Sequence, residues 1–395
     1  MRERRFAPAA ALLALATLGA APPATVDELV ARHIEARGGA ERWSRVKSLK
    51  LTGTMTSWSR KSPFTLLRAP GDRYLLEGTQ NGARLVIGYD GRTAWWDNAM
   101  LQEGAQRIRG LDLAVVLRDT DFPNPLFGWK EKGYQLRLLG AREFEGERAL
   151  ALELSRLDGM SETWYLDPAT YLEVARESPG SDFGRPVPQR TFFADFRDVG
   201  GVKVPFSVES QWYTRDRALQ ADRAELDVPA GDDRFTMPPP PGMADLLSLA
   251  GEWKVAVSRS EGPPGSPWKD EERSCRIESL MGGALLQERF VSSSGNAVLR
   301  SITFDRFKKR YRVTEINEAT THLDVAEGAF DESKRLVVDN LKADTATQAF
   351  GMTFHGRFTI HDIGPDSFKT EEEYSVDAGA SWIPAVRCVY TRVKG

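Results

Sequence analysis

The sequence predicts a mainly β protein in two domains: an antiparallel sheet with a few helices laid on it, then a closed barrel of about ten strands. Three observations carry this. From Ser48 onward apolar residues recur with period two, and Asn81-Gly82 and Asp90-Gly91 are hairpin-turn signals between the runs. Pro238 to Pro241, followed by Gly242, is a stiff segment that cannot pair in a sheet and marks a boundary. Beyond it, about ten short alternating runs follow one another with short turns and no helical pattern between them. The length agrees, since 395 residues exceed the ~250–300 at which a single core stops growing.

Taken in order, Arg2, Arg4 and Arg5 precede an apolar stretch from Phe6 to Ala20, and Gly19, Ala20 and Ala21 are small. This three-part pattern reads as a secretory signal peptide, residues 1–21, cleaved after Ala21. A retained anchor is the alternative, although about fifteen apolar residues fall short of the roughly 20 that span a bilayer. The first cysteine is Cys275, so none near the cleavage point can carry a lipid. Cleavage removes three arginines and one glutamate and changes the net charge from −3 to −5. A soluble protein of the periplasm, or of the cell exterior, is expected.

The first domain is expected over 22–237. Thr25 and Glu28 make a capping box, and Val26, Leu29, Val30 and Ile34 recur at helical spacing up to Gly38. A second short helix spans Ala40 to Val46, with Trp43 in it. Leu49, Leu51, Gly53 and Met55 alternate with polar residues in the first strand. Further strands are expected at 63–69, 73–79, 84–89, 92–97, 133–140, 147–154, 160–166, 171–178, 189–197, 202–213 and 221–227. Between them Leu111, Leu113, Val115 and Val116 predict a short helix ended by Pro123 and Pro125. A linker at 238–243 leads to the second domain, 244–395. Its strands are expected at 251–259, 271–280, 283–292, 297–305, 308–316, 321–327, 334–340, 352–361, 366–376 and 383–393.

Composition is poor in catalytic chemistry. Lys plus Arg total 53 against 56 acidic residues, which argues against nucleic acid as a partner. Ser44-Arg45-Val46-Lys47 and Ser294-Gly295-Asn296 imitate two motifs of penicillin-binding enzymes, but the third, lysine-threonine-glycine, is missing. No enzyme, metal or cofactor is expected. His355 and His361 share a strand face with Thr353, Arg357 and Thr359 and should meet water, while Met352, Phe354, Phe358 and Ile360 are the buried face. His322 is less well placed, and His33 reads as helix packing. Carboxylate pairs such as Asp119 and Asp121, Asp232 and Asp233, and the run Glu371 to Glu373 read as solvated. Cys275 and Cys388 would lie on the two strands flanking the first barrel strand. That puts them ~9–10 Å apart, beyond the ~7 Å Cα limit for a disulfide.

Residues 25–240 resemble the LolA/LolB-type carriers of outer-membrane lipoproteins. The resemblance rests on the helix leading into strand 48–56, on Tyr89-Asp90-Gly91-Arg92-Thr93-Ala94-Trp95-Trp96, and on Arg234-Phe235-Thr236-Met237-Pro238-Pro239, similar to that family's closing strand. Trp164 to Pro168 and Phe196 to Pro205 fit the same pattern. The resemblance implies an incomplete antiparallel barrel, covered by helices, around an apolar cavity for acyl chains. It also implies that Arg68, in Leu67-Arg68-Ala69-Pro70, holds the helical lid through backbone carbonyls. One residue more than in the family separates it from the proline, and a surface arginine beside a turn is the plainer reading. The C-terminal half resembles a calycin-type barrel, near an uncharacterised bacterial lipocalin-like family, through Gly251-Glu252-Trp253, Gly282 to Leu286 and Ile302 to Asp305. Arg392 on the last strand is expected over the Trp253 ring, closing the barrel end; Trp253 as a ligand contact is the alternative.

The function expected is a non-enzymatic binding or carrier protein for a lipid or for the acyl chains of a lipidated protein, with brief membrane or envelope-protein contact. Helix 25–38 and segment 111–129 would form the lid. Leu49, Leu51, Met55, Arg68, Tyr74, Leu85, Ile87, Trp95 and Trp96 are the cavity candidates, with Trp253 and Arg392 in the barrel. The Trp-rich first half, which also carries Trp129, Trp164, Trp212, Phe192 and Phe193, reads either as a lined cavity or as solid core. In the second case the protein is an envelope scaffold or partner-binding protein.

Overall fold

The computed structural model describes residues 23–394 except 102, 103, 183, 213, 214, 261, 263 and 264. The expected signal peptide lies outside the described residues. The chain divides into two units, one ending at Met237 and the other beginning at Pro238.

In the first unit the Thr25 hydroxyl accepts from the Glu28 amide and starts α1 (Val26–Ala36); the Glu28 carboxylate reaches back to the Ala24 amide. Gly38 and Gly39 end it and lead to α2 (Ala40–Ser44). The strands are β1 (Leu49–Ser57), β2 (Arg60–Ala69), β3 (Arg73–Gln80), β4 (Ala83–Tyr89), β5 (Ala94–Asn98) and β6 (Gln106–Arg107). After α3 (Gly110–Thr120) come β7 (Gln135–Phe144), β8 (Glu147–Ser155), β9 (Ser161–Leu166), β10 (Glu173–Asp182), β11 (Arg185–Val199), β12 (Val202–Trp212) and β13 (Arg215–Leu226). Asn81 and Gly82, with φ of 51° and 84°, form the two-residue turn joining β3 to β4, the mirror-image turn that suits strand twist.

These strands form one open, curled antiparallel sheet in the order β6-β5-β4-β3-β2-β1-β13-β12-β11-β10-β9-β8-β7. The first and last strands pair in the middle, Leu49 opposite Leu226 and Ser57 opposite Arg217. The chain therefore leaves the sheet at one edge and re-enters at the other, with α3 on the connection between them. Leu51, Leu66, Leu76 and Ile87 occupy consecutive inner-face positions across β1 to β4. They pack with Trp43, Val204 and Phe206. α1 lays Leu29 and Val30 on Leu150, Leu152, Leu154 and Trp164.

The outer face is covered too. Leu67, Leu75, Val86, Trp95 and Phe235 form a separate cluster there, and the Trp95 indole donates to the Phe235 carbonyl at 2.8 Å. Trp95 is thus an outer-face anchor and not a cavity residue. The expected closing strand around Phe235 is instead a 3-10 turn, Asp232–Arg234, that delivers the fully buried Phe235 ring. Met55 is also fully buried, with its methyl group over Gly78, and serves as core.

The second unit contains β14 (Gly251–Ser260), β15 (Trp268–Leu280), β16 (Leu285–Val291), β17 (Ala297–Asp305), β18 (Arg310–Asn317), β19 (Leu323–Phe330), β20 (Leu336–Asp339), β21 (Thr347–Ala349), β22 (Met352–His361), β23 (Ser367–Ser375) and β24 (Ile383–Arg392). β14 pairs β24 and β20 pairs β22, so ten strands close into an antiparallel barrel; β21, which the sequence pattern misses, is joined to β22 alone. The stretch expected as a linker is packed into this unit: Met243 is fully buried and the Tyr311 hydroxyl donates to the Gly242 carbonyl. The 3-10 turn Ala244–Leu249 plugs one barrel end with Leu246 and Leu249.

Arg392 lies 4.2 Å from the Trp253 ring centre and donates to the carbonyls of Ser248, Ala250 and Pro365. Trp253 is fully buried against Phe368 and Tyr390 and donates to the Leu249 carbonyl. Both residues close the barrel and line no described cavity. Cys275 and Cys388 are free, buried thiols on the strands either side of β14. On β22 the expected alternation is not kept: Phe358, Thr359 and Ile360 are all buried, Met352 is exposed, and Phe354, His355 and His361 are half-buried.

A bulge at Thr52/Gly53 sits in the β1–β13 seam, where a Cβ on Gly53 would fall on the Gln220 carbonyl oxygen. Backbone cannot retreat there, so Gly53→Ala should destabilise the first unit by about 1–3 kcal/mol, read from urea unfolding. An unchanged midpoint would refute this account of the seam.

Candidate functional site

α3 and the segment after it lie over the inner face of the first sheet, and what meets them there is charged. Register explains why. Across the inner face Arg176 of β10 stands opposite Thr191 of β11, Thr191 opposite Ser210 of β12, Ser210 opposite Arg217 of β13, and Arg217 opposite Ser57 of β1. Neighbouring inward positions in successive strands thus make one polar row in an otherwise apolar face. Arg176 donates to Thr191 at 3.3 Å, and the Thr191 and Ser210 hydroxyls are 3.2 Å apart.

Asp119, in the last turn of α3, sits on this row, 2.8 Å from Arg176 and 3.9 Å from Arg217. Burial opposes its ionisation, but Arg176, Arg217 and Arg118 outweigh that and hold the carboxyl below its usual range. Asp121 is buried between Lys132 at 2.6 Å and Arg156 at 2.6 Å, and the latter also pairs with the buried Glu162 at 3.0 Å. The two aspartates expected to be solvated are therefore the anchors of the lid. Likewise Glu372 in the barrel is held by Arg300 at 2.5 Å. Asp232 and Asp233 are exposed, as expected.

Arg68 donates to the carbonyls of Thr120, at 3.5 Å, and Asp121, and its guanidinium lies over the Phe122 ring. Arg118 donates to the Pro179 carbonyl of β10 and sits 2.8 Å from the Met160 sulfur. At the other end of α3, Asp112 accepts from the Ser181 hydroxyl at 2.5 Å. Polar contacts thus fasten the helix at both ends, while Leu113 and Val116 touch the apolar core.

Among the described residues, two of the cavities in this unit border α3. One, of about 130 Å³, is lined by Tyr74, Leu85, Ile87, Trp96, Val115 and Val116 with Gln80, Asn98 and Gln189 around them. The other, of about 110 Å³, is lined by Leu49, Leu51, Leu66, Trp43, Trp164 and Phe193 together with Arg37, Arg68, Arg118, Arg176 and Arg217. Tyr74, Asp119 and Arg217 border both. Burial pushes the Tyr74 phenol up to about 12, so it remains a neutral hydroxyl. Of the candidate residues, Leu49, Leu51, Arg68, Tyr74, Leu85, Ile87 and Trp96 come together here; Met55, Trp95, Trp253 and Arg392 do not.

Arg37, Arg118, Arg176 and Arg217 are missing from the sequence-based candidates. Two carry a signal. Arg37 continues the Val26, Val30, His33 stripe of α1, and Arg217 keeps the phase of Leu219 and Ala221 in β13. Arg37 is buried and paired with Glu173. His33, also fully buried, donates from Nδ1 to the Tyr171 carbonyl at 2.8 Å and accepts at Nε2 from the Asn124 amide at 3.0 Å. That arrangement needs a neutral ring. Burial, with Arg37, lowers its proton affinity against the opposing pull of Glu173 and the Tyr171 carbonyl. Asn124 belongs to the segment following α3, so His33 ties that segment to α1.

A family model described as a protein of unknown function (DUF1579) matches residues 242–392. No curated protein sequence matches the chain. Among solved structures the chain is similar to NE2245, a LolA superfamily protein from Nitrosomonas europaea. Identity is 14%, coverage 54% of this chain and 98% of that one, and the TM-score 0.38. A DUF1329 family protein from Desulfovibrio piger is similar at 14% identity, 53% and 97% coverage and a TM-score of 0.38. The MucA/MucB complex structure from Pseudomonas aeruginosa matches at 12% identity, 91% and 93% coverage and a TM-score of 0.21.

Arg68→Ala removes charged hydrogen bonds from the end of α3 and should cost about 1.5–3 kcal/mol, with faster hydrogen exchange confined to 110–125. Uniform exchange changes would show that Arg68 does not hold the lid. For His33 the unfolded chain takes up a proton that the folded chain resists. Its contribution is complete above pH ~6.5 and is lost as pH falls below that value. His33→Gln should flatten the stability difference between pH 7.5 and 5.5 in urea unfolding. An unchanged slope would place the effect elsewhere.

Proposed function

We propose that the chain is a non-enzymatic periplasmic protein that binds a hydrophobic ligand, a lipid or the acyl chains of a lipidated protein, inside its first unit beneath α3. The observation that carries this reading is the pair of cavities between sheet and helix, walled by Leu85, Ile87 and Trp96 on one side and Leu49, Leu51 and Leu66 on the other. Each is close to the ~150 Å³ that accommodates one benzene-sized group. A long acyl chain therefore enters only as α3 lifts, and each methylene buried then contributes ~0.8 kcal/mol. The ends of α3 are held by polar contacts that water can replace, which suits a cover that opens and closes.

The second unit favours the other reading for itself. Its interior holds Trp253, Phe368 and Tyr390 ring against ring. Arg300, Glu288, Glu315 and Glu372 fill the neighbouring layer. This supports a solid barrel that serves as scaffold or partner-binding module, and the Trp253–Arg392 closure supports calycin kinship.

The test is binding of a fluorescent acyl probe to the full mature protein, with native mass spectrometry of gently purified material. Saturable probe binding, displaced by long-chain lipid, is expected. Failure to bind the probe together with absence of co-purified lipid would overturn the proposal in favour of a scaffold with two solid cores.

A further inference from the structure

We infer that the ligand of the first unit is an amphiphile with an anionic head, a carboxylate or a phosphate, whose charge is received by the arginines of the cavity beside Tyr74. This rests on the proposed function and names its substrate class.

The charge around that cavity is only partly compensated: Arg37, Arg176 and Arg217 have carboxylate partners, and Arg68 and Arg118 do not. Among the described residues, Arg37, Arg68, Arg118, Arg176 and Arg217 line the cavity, against three carboxylates, Asp119, Asp121 and Glu173. The lining holds five cations and three anions; behind it Lys132 and Arg156 add two cations, and Glu162, 3.7 Å from Arg176, and Asp72, 3.4 Å from Lys132, add two anions, so an excess of two positive charges remains. The anions are moreover shared, since Asp121 also serves Lys132 and Arg156. Arg68 and Arg118 face carbonyl oxygens, and in the second case a thioether, where a buried guanidinium would be better matched by a carboxylate. Desolvation is the largest influence on both, and on Arg37, and it lowers their proton affinity; their surroundings do not fully repay the loss of water. An entering anion would restore that balance, and the planar fork of guanidinium suits both oxyanions.

Position agrees with charge. The apolar cavity lined by Leu85, Ile87 and Trp96 shares Tyr74, Asp119 and Arg217 with the arginine cavity. A single molecule can therefore place a tail in the first and a head in the second. A cationic head would meet the excess positive charge, and a neutral head would leave it uncompensated.

The experiment is displacement of the fluorescent acyl probe from the full mature protein by four C16 amphiphiles below their micellar concentrations: hexadecanoate, hexadecyl phosphate, hexadecanol and hexadecyltrimethylammonium. One or both anions should compete at about ten-fold lower concentration than the alcohol, with the ammonium weakest, and their ranking distinguishes fatty carboxylate from phosphate. Arg118→Gln should narrow the anion-to-alcohol ratio. The wild-type series decides the matter by itself should that variant fail to fold. If the probe binds and the alcohol competes as well as both anions, the head-group inference is overturned while the carrier reading stands. If the probe does not bind and no lipid co-purifies, the carrier reading falls, and this inference with it.

Discussion

The first unit depends on how an unclosed sheet is covered. Because the chain exits at β6 and returns at β7, the segment carrying α3 must cross from one edge to the other. Apolar packing alone does not hold it there. The last turn of the helix is gripped by Asp119 on Arg176 and Arg217 and by Asp121 between Lys132 and Arg156, and Arg68 holds the carbonyls beyond. Buried ion pairs roughly break even against their desolvation, so such a grip contributes orientation more than stability. The barrel of the second unit has no such problem. Its last strand pairs its first, and its closure is covalent order turned into hydrogen bonds.

The polar row from Arg176 to Ser57 explains why the grip is at this height along the strands. Each member is the inward residue at one level of the register, and a one-residue slip in any strand would turn that member outward. The same row fixes the sheet and receives the helix. Pairing of strands and docking of the cover are therefore linked through a few side chains, of which Arg217 belongs to both cavities and to the row.

Much of this is legible in the sequence. The alternation in β1 to β4 and the Pro238–Pro241 boundary can be read directly, as can the ring-and-guanidinium closure of the barrel. Alternation assigns two faces, however, without saying whether the second is also covered. Hence Trp95 and Trp96, neighbours in the chain, both read as cavity, while Phe235 arrives from 140 residues away to bury the first on the outside. Asp119 and Asp121 read as solvated because a carboxylate near a turn usually is. Only the fold brings them to arginines on β10, β13 and the β8–β9 turn, partners that no local pattern reveals. Arg37 and Arg217 do stand in apolar phases, and a charged residue in such a phase marks a polar interior.

The β1–β13 seam carries a further consequence. Leu49 meets Leu226, so the centre of the sheet joins residues almost as far apart in sequence as the unit allows. Contacts of such long range are slow to form because the loop must close first. The central pair cannot form before β13 has been made, so the chain must be synthesised nearly to the end of the unit before its first strand meets both neighbours.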